Sequence, residues 1–128
     1  NGTITHKPTG LIWKQCLEGL SGSNCSTGAV SAHTWQQALQ LAEGHSFAGY
    51  SDWRLPNIKE LKSIIELACY SPAINLNVFP NDTGSNVWSG SPYANNSGSA
   101  WYVYFGYGNG NYISRNYGVR VRLVRGGQ

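Results

Sequence analysis

The sequence predicts a mixed α+β fold, because two segments with helical periodicity lie in its first half and most β-prone segments lie in its second half. A glycine-rich turn between two aromatic runs also indicates an antiparallel hairpin. With 128 residues, 41% of them hydrophobic, the chain is long enough for one core and too short for two ordinary domains. We therefore expect one domain over residues 1–128, with two helices, antiparallel strands and long loops.

Both predicted helices carry start signals that agree with their apolar patterns. Thr34 and Gln37 can form a capping box for the first helix, and a glycine supplies its stop signal. Asn57 and Glu60 can cap the second helix, which is expected to end near Tyr70. The apolar faces are formed by Trp35, Ala38, Leu39 and Ala42 in the first helix and by Ile58, Leu61, Ile64, Ile65 and Ala68 in the second.

Five segments are predicted as strands from their alternation and their aromatic or β-branched residues. They are Gly10–Lys14, Val87–Ser89, Ala100–Phe105, Asn111–Arg115 and Gly118–Val124. Tyr107–Asn111 is predicted to be a hairpin turn, because Gly108, Asn109 and Gly110 tolerate positive φ. The long irregular stretch Ser71–Asn86 is expected to be functional or held by specific contacts.

Positive charge is concentrated at the C-terminal end. Nine Lys and Arg residues face six Asp and Glu residues, which gives a formal net charge of +3. Residues 113–128 contain four arginines and no acidic residue. This distribution favours an anionic ligand.

Strand alternation predicts where these cations point. Arg120 and Arg122 would project to one face of a strand, where guanidinium groups suit sulfate and carboxylate oxygens. Arg122 and Arg125 are equally interpretable as internal partners of Asp or Glu, whereas Arg115 is expected to be exposed, like Arg120. Two lysines on one side of the second helix could extend the cationic surface. The candidate ligand-binding residues are therefore Arg115, Arg120, Arg122, Arg125, Lys59 and Lys62.

Aromatic residues offer a second route to a sugar, since sugar rings stack on aromatic faces. Those of the C-terminal half are Tyr93, Trp101, Tyr102, Tyr104, Tyr107, Tyr112 and Tyr117. Alternation predicts that Trp101, Val103 and Phe105 face the core. Tyr102 and Tyr104 would then lie on the opposite face, where they could equally pack between subunits.

The three cysteines allow at most one internal disulfide. We pair Cys16 with Cys25, because the loop between them has little apolar content to hold it. From the spacing alone, three buried reduced thiols stay an alternative. Cys69 lies near the apolar end of the second helix and lacks a reactive signature, so no catalytic residue and no enzymatic role is expected.

No metal ion and no cofactor is expected. His6, His33 and His45 lie far apart and lack the spacing of a zinc site. Residues 71–86 offer only Asp82 among several asparagines, and the carboxylate-rich triplets of calcium-dependent lectins are absent from the sequence. A weak calcium site in this stretch is left open.

Several motifs resemble one family. They are Thr9–Trp13, the run Gly49–Leu61 (GYSDWRLPNIKEL), Pro72–Asn75, Val87–Ser89 and Arg122–Arg125. These motifs resemble the signature of the DUF1566 family, also called the Lcl C-terminal domain family, over essentially the whole chain. The resemblance implies a C-type-lectin-like fold and an exported protein, which favours the Cys16–Cys25 disulfide. Within the signature, Trp53 and Leu55 are interpreted as core residues and Arg54 as a structural cation.

The best-known type of this family sits on a collagen-like stalk, forms trimers and binds sulfated glycosaminoglycans. The resemblance therefore implies an adhesin head, secreted or on a bacterial cell surface, that acts as a homotrimer without calcium. Expected partners are sulfated polysaccharides of the heparin, chondroitin or fucoidan kind. No nucleic-acid partner and no membrane insertion are expected, and the chain has no apolar run near 18 residues. The alternative is a structural or protein-binding module of a surface appendage.

Overall fold

The computed structural model describes residues 2–66, 72–82 and 84–126. Over these residues it has two helices and eight strands in small sheets, so the mixed α+β class is confirmed. In chain order the elements are β1 (Thr3–His6), β2 (Leu11–Lys14), β3 (Leu20–Ser21), β4 (Thr27–Gly28), α1 (Trp35–Glu43), α2 (Ile58–Lys62), β5 (Asn86–Pro92), β6 (Ser99–Tyr104), β7 (Asn109–Ser114) and β8 (Val124–Arg125).

Antiparallel pairing organises the strands into three groups. The first sheet has the order β1-β2-β8, so the C-terminal end of the chain lies beside its N-terminal hairpin. Strands β3 and β4 form a separate short ribbon. The third sheet has the order β5-β6-β7, in which Trp101 lies opposite Tyr112. Strand β7 therefore forms one edge of this sheet.

The helix starts are as predicted, but the second helix is shorter. Both capping boxes form, one between Thr34 and Gln37 and one between Asn57 and Glu60. Helix α2 ends at Lys62, and the expected continuation over residues 63–66 is wrong. The Ser63 hydroxyl donates to the carbonyl of Glu60, a local contact that competes with helix continuation. The predicted helical residues 67–70 lie outside the described part of the chain.

The regular strand expected over Gly118–Val124 does not form, and only Val124 belongs to a named strand. The backbone of this segment bonds to several different neighbours instead. Val119 exchanges hydrogen bonds with His33, and the Arg120 carbonyl accepts from Trp88. Because its backbone hydrogen bonds go to different elements, this segment is not a regular strand, and strand alternation does not determine the directions of its arginine side chains.

The hairpin between β6 and β7 turns earlier than expected. Strand β7 begins at Asn109, so Asn109 and Gly110 belong to the strand rather than to the turn. Only Gly108 of the three expected residues has a positive φ, of 77°. The earlier strand start places Gly110 against helix α2, where its lack of a side chain leaves space for the stem of Lys62.

The two helices lie against opposite faces of the β5-β6-β7 sheet. Leu61 of α2 belongs to the same apolar cluster as Val87 and Val103. Ala38 of α1 belongs to a second cluster, together with Trp88. Each helix therefore brings its polar residues to a different side of this sheet.

A disulfide bond joins Cys16 and Cys25, as predicted. It closes the loop that carries β3, and β4 follows shortly after Cys25; the residues of this ribbon are mostly exposed. Cys69 lies outside the described residues. Among the helices of the described chain, none has the length and apolar character needed to cross a bilayer.

Candidate functional site

Ion pairing divides the charged residues into neutralised and surplus groups. All fifteen Lys, Arg, Asp and Glu residues fall within the described chain. Four cations pair with four carboxylates: Lys14 with Glu18, Arg54 with Glu60, Arg122 with Asp82 and Arg125 with Asp52. The cations left without a carboxylate partner among the described residues are Lys7, Lys59, Lys62, Arg115 and Arg120. Glu43 and Glu66 are likewise without a cationic partner among the described residues, so these five surplus cations and two carboxylates give the net charge of +3.

Arg122 belongs to the interior, and the expectation that it presents its guanidinium to solvent is wrong. Its side chain is 1% exposed and that of Asp82 is fully buried, with 2.8 Å between Nη2 and Oδ2. Nη1 donates to the backbone carbonyls of Lys14 and Gln15. Burial lowers the pKa of Arg122, and the Asp82 carboxylate acts in the opposite direction. The alternative interpretation, that Arg122 is a structural partner of an acid, is confirmed.

Arg125 also has an acidic partner, but near the surface. Its Nε and Nη2 donate to the two oxygens of Asp52 at 2.6 and 3.0 Å, and the guanidinium lies 3.7 Å from the ring centroid of Tyr50. The hydrogen bond from Arg125 holds the pKa of Asp52 below its ordinary value. A polyanion would therefore have to compete with Asp52 for this arginine.

Arg54 in the family signature is a structural cation, as predicted. It makes two hydrogen bonds to Glu60 and one to the Gly126 carbonyl. The hydrogen bond from Arg54 lowers the pKa of Glu60. Trp53 and Leu55 on either side are buried, so this part of the signature joins the C-terminal end to the start of α2.

Arg115 is held in place with its terminal nitrogens unbonded. Its Nε donates to the Ser99 carbonyl at 3.0 Å, and the guanidinium stacks 4.3 Å from the centroid of the Trp35 ring. Within the described chain, neither Nη atom makes a hydrogen bond. The surrounding cavity of about 300 Å³ is lined by Thr34, Trp35, Gln36, Leu39, Arg115 and Asn116. We call it the Trp35–Arg115 pocket.

The other surplus cations differ in exposure. Lys59 and Lys62 are both exposed on α2, and Lys59 lines a shallow cavity beside Thr9. Arg120 is half-buried, and its Nε is buried without a hydrogen-bond partner among the described residues. The predicted site residues therefore do not form one arginine strip. Lys59 and Lys62 are exposed, whereas Arg115 and Arg120 are half-buried, so the expectation that these two arginines are exposed is wrong.

Sequence reasoning did not place the cluster formed by Tyr93, Trp101 and Tyr112, which we call the aromatic patch. Tyr93 and Tyr112 stack with centroids 3.8 Å apart, and Trp101 meets both rings edge-on. Trp101 is half-buried rather than in the core, unlike Val103 and Phe105. The hairpin could have revealed this cluster from the sequence. If the turn is placed at its observed position, Trp101 lies opposite Tyr112 on the neighbouring strand.

A further group of charged residues lies beside a cavity of about 390 Å³, which Lys14 and Phe47 line. The Lys14 ammonium donates to Glu18 at 2.8 Å and lies 3.0 Å from Nε2 of His45. Burial lowers the pKa of His45, while Glu18 raises it and Lys14 lowers it. Because this lysine is fully engaged, the cavity lacks an available cation at its floor.

Asp82, His33 and His45, which could in principle bind a metal ion, make contacts to other side chains. Asp82, the sole acid of residues 71–86, binds Arg122 and accepts from the amide of Gly84. No group of three His, Cys, Asp or Glu side chains within the described ranges has the arrangement of a metal site. His45 contacts Lys14 and His33 contacts Ser31, both through ring nitrogens.

These features define a small disulfide-bonded α+β domain with surplus cations and a partly exposed aromatic patch. The sequence profile of the Lcl C-terminal domain family matches residues 2–125, so the chain belongs to this family. No curated protein matches the sequence.

Proposed function

We propose that this domain is an adhesin head, secreted or on a bacterial cell surface, that binds sulfated or otherwise anionic polysaccharides without calcium. The observation that carries this proposal is the division of charges. Four carboxylates each neutralise one cation, and the five remaining cations, which outnumber the two remaining carboxylates, are exposed or half-buried. A cationic surface without internal counter-charges attracts a polyanion. Family membership supports the adhesin role, a C-type-lectin-like fold and export. The disulfide also fits an oxidising compartment.

The Trp35–Arg115 pocket supplies the best-organised anion contact. Arg115 is fixed by the Ser99 carbonyl on one side and the Trp35 ring on the other. A planar guanidinium fork matches sulfate and carboxylate oxygens, and a side chain that is already ordered loses little entropy on binding. We therefore assign Arg115 as the principal predicted contact.

Lys62 supplies a second positive point along strand β7. It lies beside Gly110, five residues before Arg115. At about 3.4 Å per strand residue, this separation corresponds to about 17 Å. Because Lys62 on α2 and the Trp35–Arg115 pocket beside α1 lie on opposite faces of this sheet, a polysaccharide would have to cross the β7 edge to reach both cations.

Assembly strengthens such binding. One exposed ionic contact contributes about 0.2–1 kcal/mol, so a single domain binds weakly. We propose a homotrimer, in which three chains of +3 present a charge of +9 to one polysaccharide. Linked contacts then act at high effective concentration.

The test compares two arginines that differ in their internal partner. Arg115→Gln and Arg125→Gln each remove one positive charge, but Arg125 is already bound to Asp52. On a heparin column, Arg115→Gln should elute at lower salt than wild type, with up to about fivefold weaker binding per contact. Arg125→Gln should lose less retention than Arg115→Gln, because Arg125 is already bound to Asp52 in the wild type and the variant loses retention only through the unpaired Asp52 carboxylate.

Equal losses in both variants would show that net charge alone drives retention, and no loss in either would contradict a role for Arg115. Wild-type retention that does not change between low and physiological salt would overturn the charge mechanism. Sedimentation with and without heparin reports the trimer directly. A defined protein partner without any anionic-glycan binding would favour a structural module instead.

A further inference from the structure

The aromatic patch combines flat rings with partial exposure. Trp101 of β6 and Tyr112 of β7 are cross-strand partners, and Tyr93 follows the end of β5. Tyr93 covers one face of Tyr112 at an interplanar angle of 9°. Tyr112 is nevertheless 46% exposed, so part of its ring is accessible to solvent.

Lys62 brings a positive charge to the same face of the sheet. Its Nζ lies 6.0 Å from the centroid of the Trp101 ring. Its stem runs over Gly110, where a Cβ atom would lie 2.7 Å from Cε of the lysine. Gly110 and Tyr112 are two residues apart on one strand and therefore face the same side. The glycine leaves the room in which the lysine stem lies beside the patch.

An aromatic ring beside an ammonium group suits one ligand chemistry in particular. A pyranose ring has an apolar face of C–H groups that packs on an aromatic face, and its polar substituents point outward. Where a substituent is a carboxylate or a sulfate, the neighbouring ammonium can bind it as a point charge. Small-ligand sites typically combine aromatic surface with a small number of well-placed polar groups.

We propose that the aromatic patch and Lys62 form a stacking subsite for an anionic sugar, in which a pyranose ring packs on Tyr112 while its acidic group binds Lys62. This inference rests on the proposed function, because it takes an anionic polysaccharide as the ligand. Stacking of the sugar ring on Tyr112 adds a contribution to the binding free energy that salt does not screen. It also separates the roles of the two cations: Arg115 binds an anionic group in its own pocket, and Lys62 orients a stacked ring.

The experiment titrates a heparin-derived tetrasaccharide into the isotope-labelled full chain and follows the indole N–H signals of the tryptophans. The Trp35 and Trp101 signals report the two subsites, while those of the fully buried Trp13 and Trp88 serve as internal controls. Both reporter signals should shift, with little change in the buried pair.

Variants then separate stacking from charge. Tyr112→Ala should weaken binding by about two- to tenfold, by the same factor at low and at physiological salt. Tyr112→Phe should keep wild-type affinity, whereas Lys62→Ala should weaken binding mainly at low salt. Tyr50→Ala is the matched control, since Tyr50 is 40% exposed and also lies under a cation, Arg125.

The outcomes distinguish this inference from the proposed function. If the wild-type chain binds in a salt-dependent way and Tyr112→Ala binds equally well, the stacking subsite is wrong and the charge mechanism stands. If the wild-type chain does not bind at all, both are wrong. A change in sedimenting mass caused by Tyr112→Ala would identify the patch as a contact between copies of the chain and overturn the subsite.

Discussion

Two arginine–aspartate pairs lie only three residues apart in the C-terminal segment, and they occupy different environments. Arg122 and Asp82 are 1% and 0% exposed, whereas the side chains of Arg125 and Asp52 are 20% and 52% exposed. The nitrogen–oxygen distances are similar, at 2.8 and 2.6 Å. The contacts alone therefore do not distinguish the two pairs, and burial does.

Burial changes what each pair contributes. A buried charge that loses its partner keeps the full cost of desolvation, so breaking such a pair is strongly destabilising. A surface pair exchanges water for a screened contact and contributes little. An intermediate case is the group of Lys14, Glu18 and His45, in which Lys14 and Glu18 are nearly buried and His45 is partly exposed. We therefore expect the loss of stability on breaking an ion pair to decrease from Arg122–Asp82, through the Lys14–Glu18–His45 group, to Arg125–Asp52.

The largest effect is expected for Asp82→Asn. The amide can still accept from Gly84, but Arg122 is left as an uncompensated buried charge. We expect the free energy of unfolding to fall by about 3–5 kcal/mol, as measured by urea denaturation. Replacing both partners by apolar residues, Arg122→Met with Asp82→Leu, should restore part of this loss. A fall of less than 1 kcal/mol for Asp82→Asn would mean that Arg122 finds other compensation.

An intermediate, pH-dependent effect is expected at His45. Its pKa is lowered in the folded chain because burial disfavours the charged ring, and the Lys14 ammonium adds to this while Glu18 opposes it. The unfolded chain therefore binds the proton more readily, so stability is complete above the ordinary value of 6.5 and falls as the pH drops below it.

Thermal unfolding between pH 7.5 and 5 measures this dependence. In His45→Gln the amide oxygen can accept from Lys14 but does not titrate, so the slope of melting temperature against pH should flatten over this range. The protection factor of the backbone amide of Phe47, whose ring lies 4.3 Å from the Lys14 ammonium, should decrease at low pH in the wild type. An unchanged slope in the variant would assign the acid sensitivity to other groups.

Local signals predicted the local structure well. The two capping boxes, the disulfide and the burial of Val119, Val121 and Leu123 all agree with the structure, because each depends on neighbouring residues or on a short loop. The same local patterns did not decide whether Arg122 is a surface cation or an internal partner of an acid. Its role depends on Asp82, forty residues away in sequence and in a loop without periodicity.

The aromatic patch illustrates a second limit of sequence patterns. A hairpin turn displaced by two residues changes which side chains face each other across the strands. The true start of β7 at Asn109 sets Trp101 against Tyr112 and Gly110 under Lys62. Alternation correctly grouped Trp101 with Val103 and Phe105, but the position of helix α2 decides that Trp101 is only half-buried. Packing of distant elements, rather than local pattern, determines such exposure.

The smallest effect is expected for Asp52→Asn, which completes the comparison. The substitution removes the charge that binds Arg125 and keeps the size of the side chain. The hydrogen bond from Arg125 lowers the pKa of Asp52, so any stability from this pair is present above its ordinary value of 3.8 and disappears as the pH falls below it. Because the carboxylate is solvent-exposed and screened, the urea midpoint at pH 7 should match that of wild type within error.

The Asp52→Asn substitution also leaves Arg125 without a carboxylate partner, so heparin retention should increase slightly while stability stays the same. A large loss of stability would show that the Asp52–Arg125 contact anchors the C-terminal strand, and the contrast with Arg122 would then reflect position in the chain rather than burial.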